Sequence, residues 1–278
     1  MSAFQKQRLI KLMMTVIMLG IGVLMILPFL WMLSSSFKPE GEIFTQPIQW
    51  VPRTFIWSNY PAAWSGIVPF SLYLLNTIKV SAWSLIGGVT ICLFSAYAFA
   101  KIEFKGRNLI FVLYVITLMF PNTVLLVPRL VIYRFLGIYN THLALILPGF
   151  ISTFGTFLLR QYFLQLPNDL FEAARIDGAS ELRIFGQIAV PLIKAGIAAF
   201  AIFHLIWCWN DYENPLMFVT NRALFTIPVG IVEFRGLKTS SVGYIMAASV
   251  MSLVPLFAIF LFAQKYFVEG IAMSGIKS

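Results

Sequence analysis

Charge is scarce in this sequence. Asp, Glu, Lys and Arg together make up 11% of its 278 residues, where a soluble domain carries about a quarter. Histidine occurs only at His142 and His204, and neither has the glutamate and second histidine of a zincin helix, which excludes that class of zinc hydrolase. Cys92 and Cys208 both lie in apolar runs. They form neither a disulfide framework nor a metal motif, and both read as packing residues. There is no Gly-x-x-x-x-Gly-Lys-Ser/Thr loop, so the chain does not bind and hydrolyse ATP by itself. A Gly-x-Ser-x-Gly nucleophile elbow is also missing. The sequence does not read as an enzyme.

What is there is apolar. Hydrophobic residues make up 59% of the chain, and the formal net charge is +9. A soluble protein with that charge would suggest nucleic acid. In an integral membrane protein the basic residues instead set orientation, and no nucleic-acid partner is expected. Lys6, Arg8 and Lys11 precede an apolar run from Leu12 to Leu33. A membrane span needs about 20 residues and a signal-peptide core only about 7–15, so this run reads as a retained first helix. Residues 37–70 mix five prolines with Trp50, Trp57 and Trp64, the composition of an ordered loop near the membrane interface.

Further spans are expected at about Leu72–Ala100, from Leu109 with a kink or break at Pro121 and Pro128, at His142–Leu164, at Ile193–Trp209 and at Gly243–Phe267. Arg129–Asn140 and Asp211–Val242 are read as outer connections. Six spans put both termini on one side. With the termini inside, the inner segments hold Lys6, Arg8, Lys11, Lys101, Lys105, Arg107, Arg160, Arg175, Arg183, Lys194, Lys265 and Lys277. The outer segments hold the smaller set Lys38, Arg53, Arg129, Arg134, Arg222, Arg235 and Lys238. That bias places the termini, and the fourth-to-fifth connection, in the cytoplasm. The expected fold is all-α, a single domain over 1–278.

That connection, about 167–191, is a polar elbow in an oily chain. Pro167-Asn168-Asp169 reads as a helix start, with Asp169 as N-cap and Glu172 three residues on. Gly178 suits a left-handed stop, Ser180 a second N-cap, Glu181 the positive end of the next helix, and Pro191 its limit. Ala173 and Ala174 are small enough for another backbone to approach.

Glu172-Ala173-Ala174, Gly178 six residues after Glu172, Ile188 and Pro191 resemble the EAA motif of ABC importer permeases, with Val190 where leucine is usual. The similarity extends from about 72 to the end of the chain, with a core at about 72–268. It includes Asn76-Thr77, Ser95 to Ala100, Phe104 to Asn108, Leu159-Arg160-Gln161, Trp209-Asn210-Asp211, Ile227 to Gly230 and Tyr266 to Gly270. These stretches are similar to the carbohydrate-importing, maltose-type branch.

The resemblance implies a second, homologous permease, two cytoplasmic ATPase subunits that carry ATP and Mg, and an extracytoplasmic solute-binding protein. No cofactor is implied on this chain. It implies a bacterial-type cytoplasmic membrane, a sugar or oligosaccharide moved by alternating access, and coupling through Glu172, Ala173, Ala174, Asp177 and Gly178. It also suggests that the tail Glu269–Ser278 touches the ATPase, although Met273-Ser274 replace the small residues usual there.

A sugar pathway should mix polar groups with aromatic faces. Asn76, Trp209, Asn210, Asp211 and Tyr212 are the candidates, with capping or interlocking of helices as the plainer reading of Asn210 and Asp211 and an interfacial belt as the other reading of Trp209. An ABC permease for a glycerol phosphate-like solute or an amino acid is the nearest alternative, though the sugar-type motifs argue against the amino acid. An ion-coupled secondary carrier is the alternative of another class. Such carriers place ionisable groups at the midplane and show internal repeats; these spans carry few charges, and the two halves show no repeat by eye.

Overall fold

The structure is a computed structural model. It describes residues 3–236 and 241–275, the side chains of 3, 241, 263 and 265–275 excepted. Lys238, Lys277 and the side chains of the expected tail contact at 269–278 therefore lie outside the described residues. In chain order the helices are α1 (Ala3–Ser35), α2 (Glu40–Ile43), α3 (Asn59–Ser65), α4 (Phe70–Lys101), α5 (Arg107–Ile116), α6 (Leu126–Phe135), α7 (Leu143–Gly149) and α8 (Thr153–Leu164). They continue as α9 (Asn168–Ile176), α10 (Glu181–Ile184), α11 (Val190–Leu192), α12 (Lys194–Trp209), α13 (Glu213–Phe218), α14 (Ile227–Glu233) and α15 (Ser241–Gly275). The described residues contain no strand.

Among the described residues four helical stretches are long and apolar enough to cross a membrane, or up to six if each of two bent pairs counts as one span. The first, Phe4–Ser35, has none of its apolar window buried within the chain. Exposing such a surface to water is unfavourable by about 25 cal/mol per Å², so the solvent this surface fits is hydrocarbon. Helices suit that solvent because each backbone donor finds its acceptor within the element.

The chain packs as two compact units, Met1–Phe70 with Ile231–Leu253, and Ser71–Gly230 with Val254–Ser278. In the first, α1 leads into the proline- and aromatic-rich loop. The Ser34 hydroxyl donates to the Trp50 carbonyl at 2.6 Å. The Phe37 ring packs against Trp57 and Tyr60, with centroids at 4.7 and 5.1 Å. Buried Asn59 donates to the carbonyls of Ser36 and Lys38. Lys38 is itself only 1% exposed and donates to the Gln49 carbonyl. Burial pushes its pKa down, with Glu42 opposing. The loop is ordered, as its composition suggests, because polar side chains satisfy the carbonyls that helices would otherwise satisfy.

In the second unit the break near Pro121 is sharper than a kink. The pair 107–119 and 122–135 bends by 93°. The segment read as an outer connection from Arg129 is helical as far as Phe135. Pro121 is held extended, at ψ 130; it lacks an N–H and disfavours the helical region for the residue before it. The outer segment read from Asp211 contains α13 and α14.

Where α4, α7 and α12 meet, glycine permits close approach. A Cβ on Gly149 would stand 1.7 Å from the Ser84 hydroxyl. His204, 5% exposed, is within hydrogen-bond distance of both Ser84 oxygens at 3.2 Å, and Cys208 donates to the Ser84 hydroxyl. Cys92 donates to the Ser152 carbonyl. Both cysteines are free, Cys92 buried and Cys208 partly buried, and His204 is buried.

Candidate functional site

The elbow is built from local helix-end chemistry. Pro167, in an extended conformation, occupies the N-cap position of α9 without a side-chain bond. The expected capping box is therefore not formed. The helix starts two residues earlier than expected, and Asp169 lies inside its first turn, where its charge still suits the positive helix end. At the other end Gly178 adopts φ 79. Its amide donates to the Arg175 carbonyl, and the Ala179 amide to the Ala174 carbonyl, both at 3.0 Å. These two bonds make a Schellman stop.

Ser180 then caps α10 by accepting from the Arg183 amide. The helical path does not end at Pro191. It widens into a π-turn over Phe185–Ala189 and continues through α11 to Leu192 before bending by 78° into α12. Proline lacks the N–H that would bond the Gln187 carbonyl, and a widened turn ahead of it accommodates that loss.

Two faces result. Phe171 and Ala174 are buried in a core with Ala96, Tyr97, Ala100, Leu159, Phe163, Ile184, Ala189, Ile193 and Phe200. Glu172, Ala173 and Asp177 are exposed together with Ile176, 85% exposed, and Leu182, 73% exposed. Of the two small residues in the motif, only Ala173 is open to an approaching backbone. Two large aliphatic side chains facing solvent on a polar segment are unusual, and their company of carboxylates fits a recognition surface.

Polar contacts from α4 fix this segment. Lys101 donates to the Leu166 carbonyl at 2.7 Å and to Asn168 Oδ1 at 2.8 Å, and its ammonium lies 4.5 Å from the Phe171 ring centroid. The Tyr97 hydroxyl donates to Glu181 Oε2 at 3.0 Å, while Arg175 Nε donates to Glu181 Oε1 at 2.7 Å. Sequence reasoning gave none of these residues this role. The only available signal was a tyrosine and a lysine one turn apart at the end of an apolar helix.

The pathway candidates have separate hydrogen-bond partners. Asn76 is buried and its amide donates to the carbonyls of Ala223 and Phe225, each at 2.9 Å. Trp209 is 4% exposed. Asn210 donates to the Ile206 carbonyl of its own helix. The Asp211 carboxylate accepts from both the amide and the side chain of Asn214, holding the start of α13. Only Asn210 and Tyr212 are exposed. A separate recess of about 670 Å³ is lined by Lys79, Trp83, His142, Leu143, Ile146 and Phe150 among others.

Residues 88–272, which contain the whole elbow, match the family described as the binding-protein-dependent transport system inner membrane component. The chain is 32% identical over 259 residues to the arabinooligosaccharides transport system permease protein AraQ of Halalkalibacterium halodurans, covering 92% of this chain and 93% of that one. It is 34% identical over 267 residues to the sn-glycerol-3-phosphate transport system permease protein UgpE of Yersinia pestis bv. Antiqua, covering 93% and 95%. The fold matches a chain of a bacterial ABC transporter involved in the import of the acidic polysaccharide alginate, with TM-score 0.82, 22% identity, and 96% and 99% of the two chains covered. Similarity of this length leaves no part of the elbow or its α4 supports outside the match, and the chain belongs to the family of inner membrane permease components of binding-protein-dependent ABC transport systems.

Proposed function

We propose that this chain is one of two permeases in an ATP-driven importer of a sugar or oligosaccharide, crossing the membrane six times with both termini in the cytoplasm. The elbow is its coupling helix. The observation that carries the reading is the two-faced geometry of α9. Phe171 and Ala174 root it in the chain's own core, and Glu172, Ala173, Ile176 and Asp177 face outward. An exposed carboxylate offers a charge-assisted contact to a cationic partner surface, and the small Ala173 lets that surface close on the helix.

In this reading ATP and Mg are held by two separate ATPase subunits. Their closure moves the elbow, and the paired permeases open toward a loaded solute-binding protein; hydrolysis restores the inward-facing state. The sugar assignment leans on the relative named for arabinooligosaccharides. A phosphate-bearing solute is the second reading, suggested by the relative named for sn-glycerol-3-phosphate. Lys79, an exposed cation of α4 whose side chain borders that recess beside Trp83 and His142, is the feature of this chain that favours it.

Gentle purification of the tagged chain from its native host, followed by native mass analysis, tests the assembly. A second permease and two copies of an ATPase are expected; a lone chain or homodimer that transports without ATP overturns it. Gly178→Val tests the coupling. No other atom of this chain lies within 4 Å of a Cβ at this position, so within the chain the change acts through the positive φ. The strain is about 1–2 kcal/mol, enough to distort the stop while leaving the chain in the membrane. Loss of uptake of the solute carried by the cognate binding protein, at a normal membrane level, is expected. Normal uptake overturns the assignment.

A further inference from the structure

The elbow lies between α8 and α12 in sequence, and the simplest mechanical picture has it push on those two neighbours. Its polar bonds run elsewhere. Glu181 uses one carboxylate oxygen for Arg175 on α9 and the other for Tyr97 on α4, 84 residues away. Lys101, one turn further along α4, holds the entry to α9 through Leu166 and Asn168. Aromatic packing follows the same route: Tyr97 meets Phe163 at 5.5 Å and Phe185 at 5.2 Å, and Phe94 stacks on Phe185 at 4.7 Å.

An ion pair as exposed as Arg175–Glu181, with side chains 42% and 47% accessible, adds little to stability by itself. A carboxylate that also accepts from a buried tyrosine does something more specific. It joins the exit of one helix, the entry of the next and the end of a third at a single group.

We infer that Glu181 is a positioning residue that locks the coupling elbow to the inner end of α4 through Tyr97, so that motion of the elbow passes directly into α4 rather than only into α8 and α12. The inference rests on the coupling reading above and adds its route. A lock of this kind needs two features, and both are present. The tie must be stiff, and it is, because Glu181 stands at the start of α10 directly after the Ser180 cap. The driven element must be continuous, and α4 runs unbroken from Phe70 to Lys101, whereas α8 is preceded by a break at 150–152 and α12 by the 78° bend.

The experiment uses the assembled transporter in lipid nanodiscs and compares amide hydrogen exchange without nucleotide and with MgATP plus vanadate. Two regions are followed, the elbow at 168–184 and the end of α4 at 95–104. In the parent protein both are expected to change protection together. In Glu181→Ala the elbow is expected to respond as before, while the response of α4 falls by half or more. Tyr97→Phe keeps the ring and removes only the hydroxyl; it is expected to reproduce the loss in α4 and is the deciding variant should Glu181→Ala fail to assemble. Glu181→Gln, which keeps an acceptor for Tyr97, is expected to restore most of the α4 response. An α4 response that persists at parent size in Tyr97→Phe overturns the lock. An elbow that does not respond in the parent protein overturns the coupling reading instead.

Discussion

The two ends of α4 each hold down a polar segment, and they do so with different chemistry. At its start Asn76 donates to two carbonyls of the 223–225 turn, and Thr77 accepts from the Ile227 amide. Asn140, at φ 59, accepts from the amides of Thr220 and Asn221, and His142 meets the Leu224 carbonyl. Apart from Arg222, which donates to the Tyr73 hydroxyl at 3.2 Å, these are neutral groups reading backbone atoms. At the other end Tyr97 and Lys101 hold the elbow through a carboxylate, an amide oxygen, a single carbonyl and an aromatic face. Neutral amides on backbone fix a conformation almost regardless of the local sequence. The contacts at the elbow depend more on particular side chains and leave one face uncommitted. The first arrangement suits a segment that stays put, the second one that is moved by a partner.

Substitutions at three positions test that contrast. Phe171→Ala removes a 2% exposed ring from the core beneath the elbow, and a loss of about 3–5 kcal/mol is expected. It should appear as a large fall in the thermal midpoint of the detergent-solubilised protein together with new protease sensitivity near 165–180. If the midpoint holds, the elbow is not rooted as described.

Asn140→Ala deletes an acceptor for two amides and leaves a left-handed residue without its usual compensation, for about 1–3 kcal/mol. Asn140→Gly spares the backbone and is expected to lose less. Equal losses would mean that the φ angle is irrelevant there. Arg175→Gln touches only an exposed ion pair and is expected to change stability by about 1 kcal/mol or less. A fall as large as that of Phe171→Ala would show that charge, not packing, fixes the elbow.

What was legible in the sequence follows the range of the forces involved. Gly178 and Ser180 were readable because a helix stop and a cap are settled within three residues by backbone conformation and one hydroxyl. Asp169 was misread as the cap because Pro167 already supplies an extended residue at the boundary, and the helix starts as soon as it can. Pro121 announced an interruption but not a 93° turn, since the angle depends on what each half packs against. The Tyr97–Glu181 contact was not legible at all. A tyrosine hydroxyl near the end of an apolar helix has many possible partners, and the one it finds is 84 residues away. Asn76 shows the same limit. Its side chain suggested a group for hydroxyls, and its amide is bonded to two carbonyls of its own chain.

Gly178 has a property beyond permitting a turn. Nothing lies within 4 Å of where its Cβ would be, yet its φ is 79. Within this chain the site therefore selects for handedness and not for volume. A D-alanine introduced there by chemical ligation meets no neighbour and prefers this backbone, while L-alanine of identical size is strained. The elbow's stop is a mirror-image requirement written into a chain of L-residues, and glycine is the one coded residue that meets it without a penalty of chirality.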